Sequence, residues 1–413
     1  MANILISGAG VAGSALAWWL RRQGFRPTVV ERAPGLRDGG YKVDIRGAAL
    51  EVIDRMGLRE QVRRRDTGMR LARFVDVGGR QLATMDAQLF GGREGDDAEI
   101  MRGDLARILA SATDDVEYVF GDSIATLTPT GDRVEVAFER GKRRTFDLVV
   151  GADGLHSTVR RLAFGPESAH LRPLGHHIAI FSVPAELGEE GVELMHPAPG
   201  RTVGVYRTAG AAQSRVLFLF PSPADEPDHR DVAGQQALLA EAFGGLGWQV
   251  PRLLDAMRDA PDFYLDSMSQ VRMDRWSTGR IGLVGDAAYA PSPASGQGTS
   301  LGLVGAYVLA AALAEAPGDP VAGLAAYERR MRPFVSLNQQ LAERNLKGMV
   351  LRSAAQIRFQ TLMLRMMPHL PGRERLIRRV TEPIRKAATA ITLPGPANAR
   401  PPGHAGGCVE RRG

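Results

Sequence analysis

The 413-residue chain has room for about two to three domains of roughly 150 residues. Its 44% hydrophobic and 24% charged residues are ordinary for packed globular proteins and exclude wholesale disorder or a fibrous chain. The formal charge of +6 is unevenly placed: from Glu328 onward there are 17 Lys/Arg against 5 Glu and no Asp, which leaves the first 327 residues net acidic. Phe359 is the only aromatic residue after Phe334, so this basic region lacks the stacking platform of a nucleic-acid binder and reads as a solvated helical face packed on the body. The longest nearly uncharged apolar stretch, residues 301–313, falls short of the roughly 20 residues of a membrane span. No basic leader precedes the first strand pattern, and the single cysteine, Cys408, cannot form an internal disulfide. A cytoplasmic protein without integral membrane association is expected.

In chain order, Ile4-Leu5-Ile6 reads as a short buried strand running into Gly8-Ala9-Gly10-Val11-Ala12-Gly13. A helix over residues 14–23 follows, with Gly24 at its C-cap, and then a strand, Thr28-Val29-Val30, ending on Glu31. This is a βαβ opening. Helices are expected over residues 48–56 and 104–111. From residue 116 to 150 the pattern is β-like, with Val134 to Phe138 alternating beyond a Gly131-Asp132 hairpin turn and Leu148-Val149-Val150 apolar on both sides. Residues 177–183, 191–196, 202–208 and 215–221 read as strands of a second sheet, and Ile281 to Val284 as a return to the first. Residues 327–392 have a helical composition.

The expected architecture is therefore α/β. A discontinuous Rossmann-like domain comprises residues 1–165 and 275–326 and includes a β-rich part at about 60–145. A β-sheet substrate domain at 166–274 is inserted into it. A helical region covers 327–392, and residues 393–413 are expected to form a disordered tail.

Gly8-x-Gly10-x-x-Gly13, between a strand and a helix, lets backbone N–H groups approach a pyrophosphate at a helix N-terminus. Glu31, about 20 residues on, can accept from a ribose 2′-hydroxyl, which argues for FAD or NAD over a 2′-phosphorylated dinucleotide. Two further strand ends narrow the choice. Asp147 to Val150 runs into Gly151-Ala152-Asp153-Gly154, followed by Ser157 and Arg160. Gly282 to Val284 runs into Gly285-Asp286, followed by Pro293-x-x-Gly296-x-Gly298. Asp286, at a strand C-terminus, can bind a ribityl hydroxyl, and the turn at Gly296 to Gly298 opens a helix toward an oxygen-rich ligand.

These motifs, with Arg102 in Met101-Arg102-Gly103-Asp104-Leu105, occur in an order and at spacings that resemble the single-component FAD monooxygenases of the para-hydroxybenzoate hydroxylase fold. The resemblance covers the chain to about Pro394. Gly39-Gly40-Tyr41-Lys42-Val43-Asp44 resembles the sub-group of tetracycline-inactivating and antibiotic-tailoring enzymes, in which an acidic residue approaches the flavin ring. The resemblance implies FAD contacts at Gly8, Gly10, Ala12, Gly13, Glu31, Arg32, Asp44, Arg102, Leu105, Asp153, Gly154, Gly285, Asp286, Pro293, Gly296, Gly298 and Thr299. It also implies NADPH or NADH as a transient reductant, dioxygen as co-substrate, and transfer of oxygen from a flavin C4a-hydroperoxide to a bulky aromatic or polyketide-like small molecule.

No catalytic side chain is assigned, because the flavin carries the chemistry. His177, His196, Tyr206, Phe218 and Phe220, on expected sheet strands, are the candidate substrate contacts. A monomer or homodimer is expected, with no third, thioredoxin-like domain. Tyr289 stands where the family often has His, and Val304-Gly305 where it often has an acidic pair. The sequence offers no HExxH, paired CxxC or Gly-x-Ser-x-Gly, so no metal site or acyl-transfer nucleophile is expected. A flavin-bearing accessory protein and a reductase of the same fold are the competing readings.

Overall fold

The computed structural model describes residues 2–36, 40–223 and 231–395. Gly39, residues 396–413 of the expected tail and Cys408 lie outside the described residues.

The opening strand, Asn3–Ser7, is buried from Ile4 onward, as befits a parallel strand covered on both faces. It pairs in parallel with Leu148–Gly151 and Arg26–Glu31. The full sheet runs Ser277–Thr278, Ile281–Leu283, Leu148–Gly151, Asn3–Ser7, Arg26–Glu31, Glu117–Phe120, and only its Ser277–Thr278 edge is antiparallel. The early βαβ opening and the late strand at 281–283 thus meet in one sheet. A hairpin sheet of Ile124–Thr130, Arg133–Phe138 and Arg144–Phe146 turns at Gly131, as its composition predicts.

A second sheet has seven strands in the order Tyr264–Val271, Leu171–Pro184, Gln213–Pro221, Arg201–Tyr206, Val192–Ala198, Leu71–Val75, Gln81–Asp86. The last two strands were expected within the cofactor body. They leave it because the apolar strand Leu71–Val75 finds a partner edge in Val192–Ala198, with which it pairs in parallel. Two helices that the sequence reading missed, Val232–Phe243 and Val250–Met257, cover one face of this sheet. There Phe181, Val203, Phe218 and Phe220 pack against Leu239, Phe243 and Val250. The opposite face sets Ile178, Ile180, Leu219 and Met268 against Ala294, Ala342, Leu346 and Val350. The helical C-terminal region resolves into Pro320–Met349, Ala354–Met366 and Arg373–Ala388.

Helix Gly298–Glu315 begins three residues before the expected apolar stretch. By length and composition it could cross a membrane, yet 78% of it is buried inside the protein, between Val11–Arg22 and Pro320–Met349. The Trp19 ring lies 4.6 Å edge-on from Tyr307 of this helix, so Trp19 serves packing. Tyr307 Oη donates to the Pro394 carbonyl at 2.7 Å, and Arg55 donates to the same oxygen at 2.6 Å. With Leu393 buried, residues 393–395 are fastened to the body and are not the start of a loose tail.

Tyr289 and Gly305, two departures from the family pattern, touch each other. A Cβ placed on Gly305 would lie 1.9 Å from Tyr289 Oη. Tyr327 Oη lies 3.0 Å from Tyr289 Oη and donates to the Leu283 carbonyl at 3.1 Å. The bulkier Tyr289 thus requires a glycine opposite it, and the two departures are one packing exchange. Gly305→Ala is expected to lower stability by about 1–3 kcal/mol through overpacking, and Tyr289→Phe should restore part of the loss. Thermal unfolding of the two single variants and the double variant checks this.

Candidate cofactor site at the strand ends

The glycine-rich turns meet where the parallel strands end. Gly8 has φ +105°, and a Cβ there would lie 2.6 Å from the Ala152 carbonyl oxygen and 2.9 Å from Asp153 Cα. A Cβ on Gly13 would lie 1.9 Å from the Gly8 carbonyl oxygen. Gly285, at φ +66°, leaves room for Ala12, whose Cβ lies 2.9 Å from the Cβ position it lacks. These residues are small because the strand ends crowd. Gly10 differs, because a Cβ there would meet nothing within 4 Å. It precedes helix Val11–Arg22 without a side-chain cap, so the first N–H groups are available to an anion.

Glu31 lies beside this turn. Its carboxylate accepts from the Ala9 and Ala33 N–H groups, each at 2.9 Å, which ties the glycine loop to the end of the second strand. Exposed Arg32 lines a cavity of about 690 Å³ with residues 33–36. Asp153 is turned toward helix Thr158–Phe164, accepting from Ser157 Oγ at 2.5 Å and Val159 N–H at 3.1 Å. Burial raises its carboxyl above the ordinary aspartate range. Gly154 takes a left-handed φ of +80° beside it. Arg160, wholly buried, donates to the Ala287 carbonyl at 3.0 Å and to Glu167 at 3.1 Å, joining this turn to the next motif.

Asp286 opens the short helix Asp286–Tyr289. Burial raises its carboxyl, and the Arg102 guanidinium opposes that shift. The Cβ position of Gly298, at the start of helix Gly298–Glu315, is 3.7 Å from Asp286 Oδ1. Pro293 and Gly296 are exposed and Gly298 and Thr299 half-buried, so the helix start is open to solvent. Between them Gln297 is wholly buried, and neither its side-chain oxygen nor its nitrogen has a partner. Leu105 is fully buried in the hydrophobic core, so its side chain packs inward instead of facing the cleft.

Asp44 is engaged elsewhere. Its carboxylate accepts from Arg46 at 2.5 Å and Arg93 at 3.1 Å, while its carbonyl accepts from Ser300 Oγ at 3.3 Å. It belongs to a buried charge network that the sequence reading missed. Lys42 Nζ lies 2.7 Å from Glu193 and 3.2 Å from Glu99. Glu99 also pairs with Arg93 and accepts from Thr67 Oγ1 at 2.5 Å. Burial disfavours the Lys42 charge, but Glu193 and Glu99 outweigh it and hold its pKa above the ordinary lysine value. Burial likewise disfavours the Glu99 charge, but Lys42 and Arg93 keep that carboxyl below its usual range. The signal available in the sequence was four charged residues, Lys42, Asp44, Glu99 and Glu193, inside otherwise apolar strands.

The expected substrate residues do not share a face. Period-two alternation places Tyr206 with Glu193 toward the cofactor body, where Tyr206 Oη accepts from Lys42 N–H at 3.2 Å. Phe218 and Phe220 point the other way, into the core under Val232–Phe243. His177 lies against Phe220, ring centroids 5.6 Å apart. His196 lies against Trp248 at 5.5 Å, and its Nδ1 is 3.1 Å from the Val75 carbonyl oxygen. These four residues line the helix-covered side and not the cleft.

A second missed cluster joins the Asp153 turn to the second sheet. His156 Nδ1 is 3.0 Å from Glu167 and Nε2 is 3.0 Å from Asp266. Asp266 also accepts from Tyr264 Oη at 2.7 Å.

Crowded glycines around an uncapped helix, a half-buried carboxyl within the field of an arginine, and an unpartnered amide at a second helix start form a donor and acceptor set that fits a flavin dinucleotide. The family model described as FAD binding domain matches residues 1–342. The chain belongs to this family of FAD-dependent monooxygenases. It is 46% identical over 351 residues to an uncharacterized protein of Mycobacterium tuberculosis, covering 84% of this chain and 94% of that one. It is 43% identical over 338 residues to a flavin-dependent monooxygenase of an unknown prokaryotic organism, covering 82% and 87%. Among solved structures it is similar to the tetracycline destructase Tet(51), with TM-score 0.84 and 33% identity over 96% of this chain and 100% of that one.

The His156 cluster makes stability depend on pH. Hydrogen bonds that the imidazolium donates to Asp266, then to Glu167, raise its pKa from 6.5 to about 10. The stabilisation is therefore full below about 6.5 and is lost progressively as pH rises toward about 10. The melting temperature of the native chain should fall across that window, and His156→Gln should flatten this fall.

Proposed function

We propose that this protein uses NAD(P)H and dioxygen to hydroxylate a bulky aromatic or polyketide-like small molecule held between the flavin and the inner face of the seven-stranded sheet. The observation that carries the reading is the convergence of Gly10, Asp286 and the helix start at Gly298 at the strand ends, beside the body-facing side of the seven-stranded sheet. Similarity to a tetracycline destructase supports a polycyclic substrate.

The bound FAD supplies electron transfer from the nicotinamide to dioxygen and the insertion of oxygen. The chain supplies the rest. N–H groups after Gly10 hold the pyrophosphate, and Glu31 has lone pairs remaining for a ribose hydroxyl. Asp286 accepts from the ribityl chain. The N–H groups at Gly298 and Thr299, with the helix dipole behind them, favour negative charge on the ring. Arg32, Arg102, Gly154, Pro293 and Gly296 border the same cofactor, while Asp153 and Gly285 shape the backbone beneath it. Substrate meets the sheet face of Met195 and Leu217, which are half-buried, while Tyr206 on the same face is buried beneath it.

In this reading residues 1–165 and 275–326 carry the cofactor, 166–274 together with strands 71–86 form the substrate wall, and 327–392 cover both. The protein works in the cytoplasm, as a monomer or homodimer, without nucleic acid.

Asp286→Ala should lower the flavin-to-protein ratio after gel filtration several-fold, and an unchanged ratio would overturn the site assignment. NADPH oxidation by flavin-loaded protein in air, measured against a panel of polycyclic phenols, tests the activity. One compound should raise the rate many-fold and yield a product one oxygen heavier. A fast rate indifferent to every compound would make the protein an ungated reductase.

A further inference from the structure

Among the described residues, half of the exposed large hydrophobic side chains lie on the last two helices: Phe359 at 67% exposure, Leu362 at 53%, Met363 at 38%, Met366 at 47% and Val380 at 61%. The first four fall on helix Ala354–Met366 at the spacing i, i+3, i+4, i+7, the period of one helix face. This face is not the one that holds the helix to the body. Ile357 and Thr361 are buried on the other side, where the helix packs against Gln81–Asp86. The helix therefore has two apolar faces, of which one is covered by the protein.

Exposed arginines flank this face on its own helix and recur on the helix that follows it in the chain. Arg385 of helix Arg373–Ala388 pairs with Glu382 at 2.6 Å. Arg352, Arg358, Arg365, Arg375, Arg378 and Arg379 are exposed and have no carboxylate partner among the described residues. A second copy placed on this face would bring like charges together around the apolar contact, an arrangement that costs free energy. The apolar face is flanked on its own helix by exposed Arg358 and Arg365, and followed in the chain by a helix that carries further exposed, unpaired arginines. It is complementary to a surface that is anionic outside and apolar beneath, which is the chemistry of an anionic lipid bilayer.

We propose that helix Ala354–Met366, followed by the basic helix Arg373–Ala388, docks the protein on an anionic bilayer surface. Phe359, Leu362, Met363 and Met366 enter the boundary between headgroups and acyl chains, and the arginines engage lipid phosphates. Docking is peripheral: among the described residues, the one helix both long and apolar enough to cross a membrane is the buried core helix Gly298–Glu315. Each cationic side chain near an anionic surface strengthens such binding about fivefold, and that part of the attraction is screened by salt.

Flotation of FAD-loaded full-length protein with lipid vesicles tests this. The vesicles are pure phosphatidylcholine, or two parts phosphatidylcholine to one part phosphatidylglycerol. At low salt the floated fraction on anionic vesicles should exceed that on neutral ones by about tenfold or more and fall as salt is raised. The double variants Phe359→Ser/Leu362→Ser and Arg378→Glu/Arg379→Glu should each lose most of this binding, with flavin content and melting temperature unchanged because all four side chains are exposed. Equal flotation on both vesicle types, none on either, or double variants that float like the native chain would overturn the proposal. So would a dimer in light scattering that Phe359→Ser/Leu362→Ser abolishes while no vesicle binding is seen, which would assign the face to a second copy.

Discussion

Backbone crowding at the carboxyl ends of the parallel strands is the constraint from which the cofactor site follows. Gly8 packs on Ala152, Gly13 on Gly8, and Gly285 on Ala12. Gly302 of the core helix also approaches Ala12, its Cβ position 3.4 Å from the Ala12 Cβ. Contacts between main-chain atoms leave little freedom for adjustment, because no flexible side chain intervenes to absorb a shift. The helix start after Gly10, the turn at Asp153 and the strand end at Asp286 are thereby held in a fixed relation, and a long dinucleotide can be met along its length by groups from distant parts of the sequence. Rigidity here comes from what the residues lack.

The second sheet is joined to this body by charge. Lys42, Glu99, Arg93 and Asp44 lie on or beside the two-stranded ribbon Lys42–Ile45 and Ala98–Met101, while Glu193 belongs to the seven-stranded sheet. Burying so many ions is expensive unless every one is matched. Displacement of the ribbon by one residue would strand charges in an apolar setting. The network therefore selects one placement of sheet against ribbon, and Tyr206 is brought to Lys42 by the same geometry.

The parts of the fold legible in the sequence were those whose causes are local. Glycine turns between a strand and a helix state their conformational demand within a few residues, and runs such as Leu148-Val149-Val150 announce two-sided burial. Long-range causes stayed hidden. His177, Phe218 and Phe220 read correctly as strand residues, but which face meets the cofactor is decided by where Val232–Phe243 and Val250–Met257 settle. Leu71–Val75 could be read as a strand, yet its partner lies beyond residue 190. Asp44 resembled a residue approaching the flavin, while its partner Arg93 lies 49 positions away. Leu105 follows a motif arginine, but its burial depends on the packing of the whole helix.

The parallel sheet is assembled from both ends of a long stretch of chain. Asn3–Ser7 and Arg26–Glu31 leave the ribosome early, but Ile281–Leu283 and the helix Gly298–Glu315, which packs on Val11–Arg22, emerge only after the entire second sheet has been made. During synthesis the first helix lacks the cover of the core helix, and the strand pair Leu71–Val75 and Gln81–Asp86 awaits an edge still to be translated. Loop-closure entropy delays such non-local pairings. The glycine turn, the Asp153 turn and the helix start at Gly298 thus come together as one site only once the chain beyond residue 298 has been made.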